Sequence, residues 1–243
     1  MSLPINQIVC GDCLEVMKTF PSESIDLILT DPPYNVGQDF PNDNLSQRDS
    51  LDFQKDWIGQ CHRILKQTGC FFMTYYVFGL AEIIPILKSF DWKWANLIIW
   101  KYPNMISGGW DRSRYEFNYQ PILFFKKKNF RRDIQGMNWK GKGTKQDVWI
   151  FTACQSNFKK DGLKKIHPTQ KPLELFKKII KDVTDEDSIV LDPFLGSGTT
   201  AIAAQKLARK WIGIDISPEY CEVARKRIAQ LPEKLASFAV NLL

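Results

Sequence analysis

The chain has 243 residues, of which 44% are hydrophobic and 25% charged, which suits one globular domain with an insertion and excludes a disordered polymer. No apolar run approaches the roughly 18 to 20 residues of a membrane span, and no signal-peptide pattern is present, so we expect a cytoplasmic protein without a membrane partner. The six cysteines are then expected to be reduced. Cys10 and Cys13 form a CxxC pair, but because no second pair accompanies it, no metal site is predicted.

The positive charge is concentrated in one part of the chain. Residues 101–171 carry 16 Lys or Arg against 5 Asp or Glu, a balance of +11, whereas the remainder has a balance of −5 within the total of +6. A neutral-to-acidic body with one basic block favours a polyanionic partner. On charge alone, a solvated lysine-rich loop region remains the alternative.

The pattern of apolar residues predicts strands that alternate with helices. Residues 24–30 form a continuous apolar run typical of a buried parallel strand, whereas residues 53–65 carry apolar side chains at helical spacing. In chain order we predict a strand at 5–10, a helix at 13–20, a strand at 24–30, a mobile loop at 35–50, a helix at 53–65, a strand at 70–75, a helix at 80–89, strands at 96–100 and 121–126, a helix at 173–183, a strand at 188–191, a helix up to 207, a strand at 210–214 and a helix at 218–231. This alternation predicts an α/β fold with a mostly parallel sheet and helices on both faces.

The segment 101–166 departs from this alternation. It is irregular, basic and aromatic, and we interpret it as an inserted region that contacts the substrate, through residues such as Trp110, Arg112, Arg114, Tyr115, Trp139, Lys140, Lys142 and Lys145.

A glycine-rich turn, FLGSGTT at 194–200, lies between a predicted strand and the start of a helix. Glycines let the backbone approach a ligand closely, and free amides at a helix start favour polar or anionic groups. The next strand ends at Asp215, where a carboxylate accepts hydrogen bonds from ribose hydroxyls. A dinucleotide site would require a third glycine where Ala201 stands, and a phosphate loop would require Gly-Lys-Ser/Thr. The pattern therefore favours a nucleoside cofactor without a pyrophosphate, and S-adenosylmethionine is the best candidate.

A second turn, Asp31-Pro32-Pro33-Tyr34, follows the buried strand at 24–30. Ligands of open α/β sheets bind at this end of the strands. The two prolines fix two φ angles and remove two N–H donors, so the turn presents acceptors in a rigid frame. A carboxylate, a proline carbonyl and an aromatic ring suit a planar group that bears an NH₂. The alternative is a strand-terminating turn capped by the aspartate.

Taken together, these motifs make the chain resemble the β class of S-adenosylmethionine-dependent DNA amino-methyltransferases. DPPY at 31–34 comes first, DPFLGSGTT at 192–200 comes last, and the segments at 11–17, 56–72 and 167–172 also match in order. The resemblance covers nearly the whole chain and implies a circularly permuted, Rossmann-like methyltransferase fold in a single domain. It further implies a target-recognition region inserted at about 101–166 and a cofactor half at 167–231. The middle region itself matches no pattern, so no recognition sequence is implied.

The resemblance implies site residues one position at a time. Asp31, Pro32, Pro33 and Tyr34 match the catalytic set, and Asp12 aligns with the acid that contacts the adenine of the cofactor. For His167, Thr169 and Lys171 the resemblance implies closure of the cofactor pocket, with loop capping as the alternative. The remaining cofactor-binding positions are Asp31 itself, Phe194, Leu195, Gly196, Ser197, Gly198, Thr199, Thr200 and Asp215.

The function implied is methyl transfer to the exocyclic N6 of an adenine that is flipped out of duplex DNA. Asp at the first catalytic position favours adenine, and N4-cytosine is the first alternative. Phosphate contacts are expected from Lys126–Lys128, Arg131, Arg132 and the lysine pairs at 159–160 and 164–165, with base contacts from Arg112, Arg114 or the surroundings of Trp139. An RNA amino-methyltransferase and an inactive DNA-binding relative are further alternatives, whereas a nicotinamide oxidoreductase fails on the missing glycine. A homodimer and a cognate restriction enzyme remain open as partners.

Overall fold

The computed structural model describes residues 2–37, 43–104, 115, 117–127, 146–154 and 170–231. Within these ranges the chain forms strands and helices in the order β1 (Gln7–Cys10), α1 (Cys13–Lys18), β2 (Ile25–Thr30), α2 (Gln47–Ile64), β3 (Leu65–Thr74), α3 (Leu80–Ser89), β4 (Trp92–Lys101), β5 (Tyr119–Lys127), β6 (Val148–Ile150), α4 (Leu173–Val183), β7 (Ile189–Asp192), α5 (Thr199–Lys206), β8 (Lys210–Asp215) and α6 (Pro218–Ala229). In this part of the chain, none of the helices combines the length and the apolar character that crossing a bilayer requires.

All eight strands belong to one sheet with the order β1-β8-β7-β2-β3-β5-β4-β6. Strands β1, β8, β7, β2 and β3 are mutually parallel, β5 runs antiparallel to both β3 and β4, and β6 is parallel to β4. The first strand of the chain thus lies beside the last one, as the permuted order requires. The predicted α/β fold with a mostly parallel sheet is confirmed.

The sheet separates two hydrophobic clusters. Alternate residues of β2 face opposite sides, so that Leu27 and Leu29 pack in one cluster while Ile28 packs in the other. Buried residues of α4, α5 and α6 cover the first face, and those of α1, α2 and α3 cover the second. Helices therefore lie on both faces, which explains why the parallel strands are almost continuously apolar.

Several element boundaries differ from the sequence predictions; strand β4, for example, begins at Trp92 and not at residue 96. Helix α2 begins at Gln47, so the last four residues of the predicted loop 35–50 are helical; Ser46 caps this helix by accepting a hydrogen bond from the Asp49 amide at 3.2 Å. Periodicity missed this start because the first helical turn is exposed and polar. Strand β3 follows α2 without a loop, and β6 is a short strand inside the region predicted to be irregular.

Candidate active site

The two predicted ligand-binding turns meet at one edge of the sheet. The DPPY turn follows β2 and the glycine-rich turn follows β7, and these two parallel strands are neighbours in the centre of the sheet. The carboxyl ends of neighbouring parallel strands lie at the same edge, where open α/β sheets bind ligands. About 160 residues of sequence separate the turns, yet a hydrogen bond of 2.8 Å from the Thr30 hydroxyl to Asp192 Oδ1 joins their strand ends.

The Asp31 carboxylate at this edge is bonded to three side chains. Its Oδ2 lies 2.5 Å from the Lys171 ammonium, and its Oδ1 accepts hydrogen bonds from the hydroxyls of both Tyr34 and Thr74. The Asp31 and Lys171 side chains are 17% and 9% exposed, so this ion pair is largely shielded from water. Charge-assisted bonds in such a setting fix the orientation of the carboxylate.

The Tyr34 side chain contributes both its hydroxyl and its ring. Gln120 Nε2 donates a hydrogen bond of 2.8 Å to the Tyr34 hydroxyl, which itself donates to Asp31. Burial, and next the nearby Asp31 charge, raise the pKa of Tyr34 well above its usual value, so the phenol keeps its proton and remains a donor. The ring stacks on Tyr76 at 5.7 Å between centroids and meets the edge of Tyr75 at 5.0 Å.

A buried glutamine stabilises the backbone of the proline turn. Gln54 on α2 is 1% exposed, and its Nε2 donates a hydrogen bond of 2.9 Å to the Pro33 carbonyl. Its Oε1 accepts a bond of 2.8 Å from the Trp57 indole. Because neither Pro32 nor Pro33 has an N–H, a bond to a carbonyl is the way to fix this backbone.

An open cavity of about 470 Å³ borders Tyr34 and Lys171. Half of its lining residues are aromatic, which suits a flat ligand that stacks on rings. The aromatic members are Tyr34, Tyr76, Phe78, Trp100, Tyr102, Phe117 and Tyr119. We call this space the aromatic cavity.

The glycine-rich turn is tied to the end of β8. The Asp215 carboxylate accepts hydrogen bonds from the amides of Gly196 at 2.7 Å and Ser217 at 2.9 Å, which leaves each oxygen a further lone pair for a ligand. Gly198 has φ 85°, and a Cβ there would lie 3.0 Å from the Cβ of Ala224, so both backbone strain and space require glycine. Arg227, which is buried, donates to the Ser197 carbonyl.

Asp192 bonds to residues at both ends of the same turn. Its Oδ1 accepts hydrogen bonds from the Thr30 hydroxyl and, at 3.1 Å, from the Phe194 amide, while its Oδ2 accepts from the Thr200 hydroxyl at 2.5 Å. Burial nevertheless raises the pKa of Asp192 to about 7, because these three donors only partly replace water.

A second, smaller cavity of about 60 Å³ lies between the glycine-rich turn and Asp31. We call it the glycine-turn cavity. The Thr199 hydroxyl, in a residue only 5% exposed, has no hydrogen-bond partner among the described residues. A buried hydroxyl without a partner is unfavourable, and a polar ligand in this cavity would satisfy it. Asp31, Gln170 and Lys171 border this cavity, and Lys171 also borders the aromatic cavity.

The other predicted positions fall into three groups. Asp12 follows β1 and caps α1 through a bond of 2.8 Å from the Leu14 amide, next to the strand end that carries Asp215. Leu195 borders the glycine-turn cavity, but it is 4% exposed and belongs to the core. His167 and Thr169 lie outside the described residues.

The basic segment is described only in part, and burial disfavours one of its predicted phosphate contacts. Lys126 and Lys127 end β5 beside the start of β4, at the opposite edge of the sheet from Asp31. Lys127 is 6% exposed, and burial lowers its pKa, which makes it a poor candidate for a phosphate contact. Tyr115 is almost fully exposed, and the other predicted contacts of this segment from Trp110 to Lys165 lie outside the described residues.

Sequence patterns missed several side chains that complete the site. Thr74 ends the strand next to the DPPY strand, so its position at the same edge was open to inference. Gln54 is a polar residue on the apolar stripe of α2, which is also a detectable signal. Gln120 and Tyr76 gave no signal, because their positions depend on the register of β5 and on the turn after β3.

Comparisons with known proteins cover both turns of this site. Residues 25–226 match a family model, N6_N4_Mtase, described as DNA methylase. The Type II methyltransferase M.HpaI of Haemophilus parainfluenzae is 35% identical over 91% of this chain and 74% of that protein. The DNA adenine methyltransferase YhdJ of Escherichia coli (strain K12) is 34% identical over 91% and 82%, respectively. The crystal structure of an M1.HpyAVI–SAM complex is 29% identical, with a TM-score of 0.70 over 91% of this chain and 98% of that one.

Proposed function

Because this chain belongs to the family of S-adenosylmethionine-dependent DNA amino-methyltransferases, we propose that it methylates the exocyclic N6 of adenine in duplex DNA. The observation that carries this proposal is that Asp31 lines the glycine-turn cavity and bonds to Tyr34 and Lys171, which both line the aromatic cavity. A carboxylate there is adjacent to a site for the methyl donor on one side and to a site for a flat base on the other.

The groups around the glycine-turn cavity fit polar parts of the donor. S-adenosylmethionine, when bound, supplies a sulfonium methyl group that an amine nitrogen can take. The unpartnered Thr199 hydroxyl and the amides at the start of α5 would hold polar groups of the donor. Asp215 has lone pairs left for ribose hydroxyls. Asp12, for which the resemblance implies a contact with the adenine of the donor, follows the adjacent strand β1.

The remaining members of the predicted donor site are the residues of the glycine-rich turn and the segment before α4. Phe194 packs edge-on against Trp57 at 5.1 Å between centroids, so its ring forms a fixed wall of this turn. Donor contacts are proposed for the residues of the glycine-rich turn and, as the resemblance implies, for His167 and Thr169, while Lys171 borders the same cavity beside Asp31.

Asp31 and the turn behind it position the acceptor amine. The aromatic cavity stacks the flipped base, and Asp31 and the Pro32 carbonyl accept the two N6 hydrogens. These bonds direct the nitrogen lone pair at the methyl group, so that the N–C bond forms as the S–C bond breaks. The carboxylate stabilises the positive charge that develops on the amine, and the amine then releases one proton to water.

Two observations support adenine over cytosine. The first catalytic position is Asp31, which in this family favours N6-adenine, and YhdJ, a relative 34% identical, is named a DNA adenine methyltransferase. N4-cytosine is the second candidate, because the matched family model covers both amino groups in its name. The same catalytic geometry would serve either base.

Duplex DNA is the proposed polymer, with the segment 101–166 as its recognition region. A stacked base hides its amine, so the base must leave the helix to reach Asp31. A cognate restriction enzyme is proposed as a partner on the Type II designation of the M.HpaI relative.

The test is to incubate the protein with methyl-labelled S-adenosylmethionine and either unmethylated bacterial DNA or, in a parallel reaction, RNA, and to identify the labelled nucleoside after digestion. Label in N6-methyldeoxyadenosine is expected for the wild type and for the exposed-site control Asp52→Asn, and loss of label is expected for Asp31→Asn. Label in N4-methylcytosine would refute the choice of base, and label in RNA alone would refute the choice of polymer.

A further inference from the structure

The Lys171 ammonium lies beside Asp31, where the proposed reaction also brings two other positive charges, the sulfonium of the donor and the amine that is being methylated. It lies 2.5 Å from Asp31 Oδ2 and borders both cavities, with 9% of its side chain exposed. We propose that Lys171 is a resident counter-ion of Asp31 that competes with the cationic methyl donor and gives way to it, so that it lowers the affinity for the donor relative to the product. This inference rests on the proposed function.

The hydrogen bonds of Asp31 identify the oxygen at which the competition occurs. Oδ1 accepts from both Tyr34 and Thr74, which uses both of its lone pairs, whereas Oδ2 has only Lys171. The free lone pair of Asp31 is therefore on Oδ2. The target amine must bond there, directly beside the Lys171 ammonium.

Electrostatics makes this arrangement unfavourable once the donor is present. A sulfonium next to Asp31 and an amine that becomes positively charged would share one carboxylate with Lys171. In a partly buried site like charges repel strongly, because little water screens them. The side chain of lysine has four methylenes, so the ammonium can leave Asp31 by rotation while the backbone of Lys171, next to Pro172 at the start of α4, stays in place.

The demethylated product differs from the donor in this respect. S-adenosylhomocysteine carries a neutral thioether in place of the sulfonium, so it does not compete for Asp31 and leaves the ion pair intact. Re-formation of the Lys171–Asp31 pair after transfer would restore the site for the next cycle. Lys171 should therefore affect binding of the donor and leave binding of the product unchanged.

The experiment measures the Kd of S-adenosylmethionine and of S-adenosylhomocysteine by titration calorimetry for the wild type, Lys171→Met and Lys171→Arg. In Lys171→Met the donor is expected to bind about tenfold more tightly, with product binding unchanged, because one partly buried charge is removed. Lys171→Arg keeps the charge and should keep the wild-type ratio of the two Kd values. Lys177→Met on α4, whose lysine pairs with Glu174, is the matched control.

The other outcomes each have one meaning. An equal loss of affinity for both ligands in Lys171→Met would overturn the inference, because Lys171 would then support the site sterically. In Lys171→Met, a preference for the donor over the product that is unchanged or lower than in the wild type would overturn the inference as well. Failure of the wild type to bind either ligand would instead refute the proposed function.

Discussion

The buried carboxyl of Asp192 should make the stability of this protein fall as the pH rises to neutrality. We consider the substitution Asp192→Asn, which removes the titration and keeps the shape of the side chain. The Asn carbonyl can accept from the Thr30 hydroxyl and the Phe194 amide, and the Asn NH₂ can donate to the Thr200 hydroxyl. The variant therefore isolates the charge from the hydrogen bonds.

The sign and size of the effect follow from the pKa of Asp192 in the two states. Its pKa is about 7 in the folded protein and about 3.9 in an unfolded chain, so between these values the folded state binds the proton more tightly. The wild type then loses stability as the pH rises from about 4 to about 7, and the loss is complete above that range. The stability of the folded state falls by about 2.3 kcal/mol from pH 5 to pH 7 and by about 2.6 kcal/mol from pH 5 to pH 8, because the slope of roughly 1.4 kcal/mol for each pH unit declines as the pH reaches the folded pKa.

The assay is urea unfolding of wild type and variant at half-unit steps from pH 5 to pH 8 without cofactor. The unfolding free energy of the wild type should fall by about 2.6 kcal/mol relative to that of the variant over this range, with an unchanged m-value. Asp52→Asn, on the exposed side of α2, should show no such shift and controls for loss of a surface charge. A difference that stays flat from pH 5 to pH 8 would refute the raised pKa of Asp192.

Two further predictions concern the DPPY turn. Tyr34→Phe keeps the ring but removes one donor to Asp31, so kcat should fall by about 10- to 100-fold with little change in KM. Single-turnover methyl transfer would measure the change in rate. An unchanged rate would exclude an orienting role of the hydroxyl. Gln54→Leu deprives the Pro33 carbonyl and the Trp57 indole of their buried partner. This variant should lose about 2 to 6 kcal/mol of stability and at least about 4 °C in Tm. Gln47→Leu, on the exposed start of the same helix, should leave Tm nearly unchanged. Equal Tm values for the two variants would contradict this account.

Much of the fold was predictable because its strands are buried on both faces and its helices carry regular apolar stripes. Strand β2 and helix α4 illustrate this, since their predicted and observed ranges agree to within one residue. The exceptions have physical causes. The polar first turn of α2 is held by a cap rather than by burial, and β6 forms through pairing with β4 across a long stretch of sequence.

The two turns of the site were predictable because their chemistry is local. A proline pair fixes its own backbone, and a glycine at positive φ marks its own turn. The groups that orient Asp31 were harder to predict because they come from other elements. Lys171 was assigned by resemblance to the cofactor pocket alone, and only the three-dimensional structure brings its ammonium to the catalytic carboxylate.

The order of the two motifs along the chain matters less than the order of their strands in the sheet. Strands β2 and β7 are neighbours, so the catalytic and cofactor turns meet whichever is synthesised first. The Thr30–Asp192 hydrogen bond joins the ends of these two strands directly, and Asp192 also bonds to Thr200 at the start of α5. Deprotonation of Asp192 above neutrality therefore places an unscreened charge at the joint between the two turns, which is why this one carboxyl bears on both the stability and the geometry of the site.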